Sequence, residues 1–158
     1  MAPPDKIWVA AGPVRDLEMA RYLSARGTDL LCIPLNMPKG QDASPLLSAL
    51  KAWLEGPLLI GICSEKTPAE PHIKLLDGLL AGAELVLWES GHRFVIVDPG
   101  SFDVPVPGGL LRVPFPLQVP LSIIPLLSGY FIDPGDRDPD GHYDFDLLDR
   151  WFDELESL

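Results

Sequence analysis

The stretch from Gly56 to Glu89 restricts the fold of this chain more than any other part of the sequence. Its first apolar run, Leu58 to Ile62, has the length and composition of a strand that is buried on both faces. The segment from Thr67 to Glu70 has the residues of a helix start, with a capping hydroxyl followed by a proline and an acid. A second apolar run, Leu85 to Trp88, closes the stretch. The order strand, helix, strand predicts a βαβ unit, which implies a parallel sheet.

The helix predicted inside this unit depends on apolar spacing. Ile73, Leu76, Leu79 and Leu80 fall on one helical face, and Gly82 is suited to end the helix. We therefore expect helical structure between the two strands up to this glycine.

The same alternation covers the residues that precede this stretch. Strands are predicted at residues 7–11 and 30–35, and helices are predicted at residues 16–26 and 44–55. Residues 6–90 are thus predicted to form regular βα units with right-handed crossovers.

Residues 91–141 interrupt this pattern because they are rich in proline, which cannot donate a hydrogen bond to a sheet. No helical pattern separates Val86 from Phe94, so an antiparallel hairpin is predicted between the two runs that contain them. A second hairpin is predicted from the apolar residues at 104–106 and 111–113. This region is expected to hold irregular strands and loops.

The length and the charge of the chain limit its domain count and its partners. With 158 residues and an amphipathic closing helix at 145–156, the whole chain 1–158 is predicted to form one α/β domain. The formal net charge of −11 argues against nucleic acid and anionic membranes as partners, since both require a basic face.

Three further features predict a cytoplasmic location. No apolar run approaches the roughly 20 residues that span a bilayer. The first residues lack the apolar region of a signal peptide. Cys32 and Cys63 lie in strand-like apolar runs, where buried thiols are expected rather than a disulfide.

Four short motifs lie in or next to the predicted strands. They are Lys6-Ile7-Trp8-Val9-Ala10-Ala11-Gly12 with the following Arg15-Asp16-Leu17-Glu18, then Leu59-Ile60-Gly61-Ile62, Val95-Ile96-Val97-Asp98, and Pro125-Leu126-Leu127-Ser128-Gly129. Together these motifs resemble phosphoribosylanthranilate isomerase, a (β/α)8-barrel enzyme of tryptophan synthesis. The resemblance is best over residues 6–90.

The resemblance implies a TIM-barrel-like α/β fold, but the chain is shorter than the about 200 residues that a complete barrel requires. We therefore expect a shortened or incomplete TIM-barrel-like (β/α) domain. The alternative is an open parallel α/β sheet with an added β-hairpin.

Differences from that family bear on catalysis. In the family, a cysteine at the end of the first strand acts as general base, and here Ala10 or Ala11 occupies that place. Asp98 matches the family's acidic residue and is the catalytic candidate. Because proton transfer between carbon and oxygen needs a base and an acid, the resemblance implies a relative without the isomerase activity and leaves other catalysis open. The alternative for Asp98 is a plain turn with Pro99 and Gly100.

Several residues are candidates for binding a small phosphorylated ligand. They are Arg15, Gly108, Gly109, Ser128 and Gly129. Arg15 lies in the first loop of the family-like pattern, and the glycines could bring backbone amides close to a phosphate. Neither glycine motif precedes a helix start that would favour an anion, so a hairpin turn and a strand-end turn are the alternatives.

The most distinctive local motif is acidic. Asp136, Asp138, Asp140 and Asp144 stand at positions 1, 3, 5 and 9 of a loop with glycine at position 6, as in calcium-binding loops. This spacing predicts a Ca²⁺ site, and no other cofactor is expected. Leu147 occupies the place of the usual bidentate glutamate. The alternative is a solvated acidic loop in which Asp144 caps the following helix.

Two hypotheses for function remain. The first is a divergent phosphoribosylanthranilate isomerase-like protein that binds a phosphorylated small molecule, and a pocket near Asp98 would favour it. The second is a non-catalytic interaction or assembly protein that forms a homo-oligomer. An exposed apolar face, left where covering helices are missing, would favour the second hypothesis because such a face must be covered by another subunit.

Overall fold

Eight strands form a closed barrel in the described part of the chain. The computed structural model describes residues 7–35, 43–63, 70–98, 108–113 and 128–156. Each strand pairs with the next one along the chain, and the last pairs with the first. The strands are β1 (Trp8–Ala11), β2 (Leu30–Pro34), β3 (Leu58–Ile62), β4 (Gly78–Ala81), β5 (Glu84–Leu87), β6 (Arg93–Val97), β7 (Gly109–Arg112) and β8 (Gly129–Ile132). The helices are α1 (Leu17–Ala25), α2 (Ser44–Trp53), α3 (Glu70–Ile73) and α4 (Phe145–Glu156).

One strand, β5, runs against all the others. It pairs antiparallel with β4 and β6, whereas the other neighbouring pairs of the barrel are parallel. At the closure between β8 and β1, Gly129 lies opposite Trp8 and Ile132 lies opposite Ala11. The sheet is therefore mixed, and its closure leaves none of the described strands at an edge.

Both predicted architectures are wrong. A shortened TIM-barrel-like (β/α) domain requires helices that alternate with parallel strands, but the described residues hold eight strands and only four helices. The chain turns from β4 into β5 through Gly82 and Ala83, which leaves no room for a helix and forces the antiparallel direction. An open parallel α/β sheet with an added hairpin is excluded because β8 closes onto β1.

The main local error lies between β3 and β5. Within the predicted helix only the short α3 is helical, and the residues of β4 form a parallel partner of β3. Gly78 permits this strand, because a Cβ at its position would lie 2.2 Å from the carbonyl oxygen of Val86 on β5. Gly82 has a φ of +62° and forms the turn to β5 instead of ending a helix. Residues 67–69 of the predicted helix start lie outside the described residues, and α3 begins at the last residue of that start, Glu70.

Other predicted elements are confirmed within a few residues. These are β1, α1, β2, α2, β3 and α4. The hairpin predicted between the runs at Val86 and Phe94 is also confirmed, since β5 and β6 pair antiparallel. The second predicted hairpin is wrong for its described strand, because β7 pairs in parallel with both β6 and β8. Residues 104–106 lie outside the described part of the chain.

Apolar side chains fill the interior of the barrel. Alternate residues of each strand point inward, and an eight-stranded barrel is just wide enough for its side chains to fill it. The buried interior residues are Ala10, Leu30, Cys32, Ile60, Leu80, Leu85, Leu87, Phe94, Ile96, Leu110 and Phe131. Burial raises the pKa of the Cys32 thiol to about 12, which keeps it protonated and unreactive. Both cysteines are buried thiols, as predicted.

A second apolar layer packs the helices against the outside of the barrel. Met19 and Leu23 of α1, Leu50 of α2 and Phe152 of α4 belong to one buried cluster with outward residues of the strands, such as Ile33. The outer side of β5 and β6 is different, since Val95 there is 40% exposed. None of the helices in the described residues is long and apolar enough to cross a membrane.

Candidate functional site

The barrel has two ends, and the predicted site residues are divided between them. All strands except β5 run in one direction, so their last residues define a carboxyl end and their first residues define an amino end. Asp98 follows β6 and Arg15 follows β1, which places both at the carboxyl end. The other candidates for phosphate binding lie at the starts of β7 and β8, at the amino end: Gly108, Gly109, Ser128 and Gly129. The fold therefore separates Arg15 from the glycines.

Asp98 forms an ion pair at the carboxyl end. Arg112 Nε donates to Asp98 Oδ1 at 3.0 Å, and both side chains are exposed. The guanidinium of Arg112 lies 5.3 Å from the centre of the Phe131 ring, which belongs to the barrel interior. The pair thus lies over the end of the packed core. A catalytic role for Asp98 stays a prediction, and Arg112 is a neighbour that sequence reasoning missed.

Backbone packing accounts for the glycines at the amino end. Ser128 N donates to Gly109 O at 2.9 Å, and Gly108 has a φ of +79°, which favours glycine. A Cβ at Gly129 would lie 1.8 Å from the carbonyl oxygen of Trp8, so a larger residue would push β8 away from β1. Phosphate binding by these residues stays a prediction.

The carboxylate of Asp138 binds backbone N–H groups of the predicted calcium loop itself. Its Oδ1 accepts hydrogen bonds from the N–H groups of Asp140 and His142, both at 2.9 Å. Gly141, between them, has a φ of +87°. An aspartate that bonds backbone groups a few residues ahead is typical of a self-contained turn.

Asp136 and Asp144 face other partners. Asp136 accepts from Arg15 Nη1 at 2.9 Å, and Asp144 accepts from Leu147 N at 3.0 Å, which is the geometry of a helix cap for α4. Among the described residues, no three His, Cys, Asp or Glu side chains are grouped as metal ligands. The Ca²⁺ site predicted from the spacing stays a prediction.

A cluster of three side chains ties the acidic loop to the start of α1. We call it the Asp16 clasp, and it consists of Asp16, Arg137 and Tyr143. Asp16 Oδ2 accepts hydrogen bonds from Arg137 Nη2 at 3.1 Å and from the Tyr143 hydroxyl, while its Oδ1 caps α1 by accepting from Met19 N at 2.9 Å. The guanidinium of Arg137 lies 4.4 Å from the centre of the Tyr143 ring. Nothing in the local sequence pattern indicates this long-range cluster.

The clasp shifts the pKa values of Asp16 and Tyr143 in opposite directions. Burial alone would raise the pKa of Asp16, but the hydrogen bonds from Met19, Tyr143 and Arg137 outweigh it and hold that pKa below its usual value. Burial raises the pKa of Tyr143 to about 12, and its hydrogen bond to the Asp16 carboxylate adds to the rise. At neutral pH, Asp16 is therefore ionised and Tyr143 keeps its proton, so the clasp is a stable structural contact.

The amino end of the barrel carries a pocket of about 450 Å³. We call it the amino-end pocket. Its lining combines aromatic, apolar and acidic side chains: Trp8, Leu58, Leu76, Asp77, Leu87, Trp88, Glu89, Ser90 and His92. The sequence pattern predicts the turn at Ser90 and His92 but gives no signal for a pocket, because the walls come from four separate segments of the chain.

The outer side of β4, β5 and β6 forms a groove of about 380 Å³. Its lining residues are Leu79, Ala81, Glu84, Val86, Trp88 and Arg93. Together with Val95, which lies opposite Glu84, these residues make up what we call the β4–β6 face. Trp88 is 41% exposed and Val95 is 40% exposed. Glu84 and Arg93 form an ion pair on this face at 2.6 Å.

Comparisons with known proteins give no relatives for this chain: no family model, no curated protein and no solved structure matches it. None of these comparisons links the chain to phosphoribosylanthranilate isomerase, so that resemblance gains no support from them. The description of the chain as TIM-barrel-like and α/β is corrected by the mixed barrel, and nothing supports its description as isomerase-related. The function must therefore be argued from the surfaces of the barrel.

Proposed function

We propose that this chain is a non-catalytic assembly protein whose β4–β6 face binds a second copy of the same chain. The observation that carries the proposal is the exposure of Val95 and Trp88 on the outside of a sheet. On the opposite side of the barrel, α1, α2 and α4 bury the corresponding strand residues. A sheet face with large exposed apolar side chains is typical of a surface that another subunit covers.

The charge of the β4–β6 face favours a second copy as its partner. The chain has a formal net charge of −11, so two copies repel each other over most of their surfaces. On this face, however, Glu84 is balanced by Arg93. A two-fold axis through the face would bring Glu84 of one copy to Arg93 of the other, and the reverse, so the face is complementary to itself.

Barrel closure limits how two copies can meet. The described strands form a closed ring, so the exposed backbone edge that strand-to-strand association requires is missing from this part of the chain. Association through side chains of a sheet face remains, and the burial of Val86, Trp88 and Val95 would supply its driving force at about 25 cal/mol per Å² of apolar surface.

The proposal is tested by light scattering at micromolar concentration. We expect the unmodified protein to be a dimer and Val95→Glu to be a folded monomer, because two new carboxylates would meet at the two-fold axis. Ile7→Glu is the matched control, since Ile7 is 56% exposed and lies beside Tyr130 and Phe152, away from the β4–β6 face. A monomeric unmodified protein, or a dimer of Val95→Glu, would overturn the proposal.

A second candidate function is the binding of a small phosphorylated ligand at the carboxyl end. Arg112 favours it, because its side chain is 46% exposed and its Nε donates to the carboxylate of Asp98. A phosphate would have to displace that carboxylate. We therefore expect Asp98→Asn to bind a sugar phosphate more tightly than the unmodified protein, and Arg112→Gln to bind it more weakly. Calorimetry that detects no binding by either the unmodified protein or Asp98→Asn would exclude this candidate.

A further inference from the structure

The amino-end pocket has aromatic side chains in its walls, and ring packing fixes the position of Trp8. The ring of Trp8 meets Phe94 edge to face at 5.4 Å between centroids, and it lies 5.9 Å from the ring of His92. Trp88 stands on the turn after β5, where its backbone N–H donates to Asp77 O at 3.0 Å. Packing thus holds the Trp8 indole in the lining before any ligand arrives, and the backbone hydrogen bond fixes the position on the chain from which the Trp88 indole reaches the same lining.

The charged groups in the lining of this pocket are acidic. Asp77 and Glu89 contribute carboxylates, and Glu89 is exposed. Asp77 is held in place because it accepts from Leu59 N at 2.8 Å and from Lys51 Nζ at 3.3 Å. Lys51 offsets the charge of Asp77 from outside the lining, whereas Glu89 adds a further negative charge to a chain whose net charge is −11. The electrostatic potential in the pocket therefore favours a cation.

The geometry points to a site for an organic cation with a methylated ammonium group. Such a cation is weakly hydrated and is attracted to the electron-rich faces of tryptophan rings. Its methyl groups suit the apolar part of the lining, which is formed by Leu58, Leu76 and Leu87. The volume of about 450 Å³ is within the range of small-molecule sites, about 300 to 1,000 Å³. A carboxylate on the ligand would be repelled by Asp77 and Glu89.

This site shares Trp88 with the face of the proposed dimer, so the two proposals have to be tested separately. Glu89 lines the amino-end pocket and not the groove of the β4–β6 face, so its substitution separates the two proposals. Binding experiments on Val95→Glu, which we expect to be monomeric, then test the pocket without the second copy.

The test titrates choline into the full chain and follows calorimetry and tryptophan fluorescence. Dimethylbutanol, the uncharged carbon isostere of choline, controls for apolar burial, and glycine betaine controls for an added carboxylate. We expect choline to bind about tenfold more tightly than either compound, as a desolvated cation–π contact predicts. Equal affinities for choline and its isostere, or no binding of choline, would overturn the inference.

Two pairs of variants assign the site. Glu89→Gln should weaken choline binding about threefold or more, while Asp146→Asn, the same loss of charge on the first turn of α4, should leave it unchanged. Trp88→Ala should weaken choline binding more than Glu89→Gln does. Trp53→Ala, at a 68% exposed position on α2, should not change choline binding. Unchanged affinity in both Glu89→Gln and Trp88→Ala would place the choline elsewhere and reject the site.

Free and lipid-bound sources of the ammonium group are distinguished with vesicles of phosphatidylcholine. Asp77 and Glu89 repel phosphate as well as carboxylate. We therefore expect free choline to bind, and we expect the protein to stay in solution when the vesicles are sedimented. Sedimentation of the protein with the vesicles, lost in Glu89→Gln, would instead assign the headgroup as the source. If Glu89→Gln and the unmodified protein sediment with the vesicles equally, and free choline does not bind, the inference is overturned.

Discussion

Arg137 donates a hydrogen bond to Asp16 at 3.1 Å across 121 residues of sequence. This contact joins the acidic loop before α4 to the N-cap of α1. The loop is therefore held to the barrel by Arg137 and Tyr143, which both donate to Asp16, and by Asp136, which accepts from Arg15. Its other bonded acids, Asp138 and Asp144, close a turn and cap a helix. A loop whose composition predicts an ion site thus has a structural role in the folded chain.

Removing the acid of the clasp should destabilise the fold. Asp16→Ala loses the N-cap of α1, which contributes about 1 kcal/mol. It also removes the acceptor of Tyr143 and one acceptor of Arg137, and a hydrogen bond to a charged group contributes about 1.5 kcal/mol or more. We expect the free energy of unfolding in urea to fall by roughly 2–3 kcal/mol. Asp146→Ala, an exposed acid on α4, should change it by less than about 0.5 kcal/mol. Equal stability of the two variants would contradict a role for the clasp.

Tyr143 should make stability depend on alkaline pH. Its pKa is raised from 10.0 to about 12, so the folded state holds the phenolic proton more tightly than the unfolded state. The resulting stabilisation is complete below pH 10.0 and is lost as the pH rises to about 12. Tyr143→Phe lacks this proton, so its unfolding free energy should fall less steeply over this range. Parallel pH profiles of the two proteins, measured by urea unfolding, would show that the pKa of Tyr143 is not raised in the folded state.

Calcium should have little effect on the melting temperature. Asp136 and Asp138 already accept hydrogen bonds from Arg15 and from the loop backbone, and Asp144 caps α4. Converging on an ion would break these contacts. We expect the same melting curve in millimolar calcium and in chelator. A rise of several degrees that Asp138→Ala abolishes would instead establish the calcium site that the spacing predicts.

Closure of the barrel should not tolerate a side chain at Gly129. A Cβ there would lie 1.8 Å from the backbone oxygen of Trp8, which cannot move without breaking the pairing of β8 with β1. Gly129→Ala should lower the unfolding free energy by more than about 3 kcal/mol or prevent folding. Gly135→Ala is the control, since Gly135 has a φ of +78° but open space around it, and it should lose about 1 kcal/mol. Similar stability of both variants would argue against this closure.

Local sequence patterns predicted the elements whose signals do not depend on distant partners. The capping carboxylate of Asp16 and the apolar face of α1 are readable from neighbouring residues, and so is the amphipathic α4. The local pattern predicted the wrong element at Leu79 and Leu80, which lie in β4 and not in a helix. Their spacing from Ile73 fits a helical face, but a short apolar run also fits a buried strand, and periodicity alone does not separate them. Gly78 was the signal that favoured the strand.

The closure and the candidate sites depend on long-range contacts. The pairing of Gly129 with Trp8 decides between an open sheet and a barrel, and no local pattern encodes that register. The amino-end pocket likewise combines the start of β1 with residues around Asp77 and with the turn at Trp88. Sequence reasoning did anticipate an exposed apolar face. It attributed that face to missing helices of a different fold.

The most direct test of the proposed assembly exchanges the charges of the β4–β6 face. Glu84→Arg makes this face positive and Arg93→Glu makes it negative, so each variant alone should sediment as a monomer. Because a two-fold contact brings position 84 of one copy to position 93 of the other, an equimolar mixture of the two variants should form a heterodimer. Sedimentation velocity of the separate and mixed proteins measures this outcome. Dimers of each separate variant, or a mixture that stays monomeric, would contradict the proposed assembly.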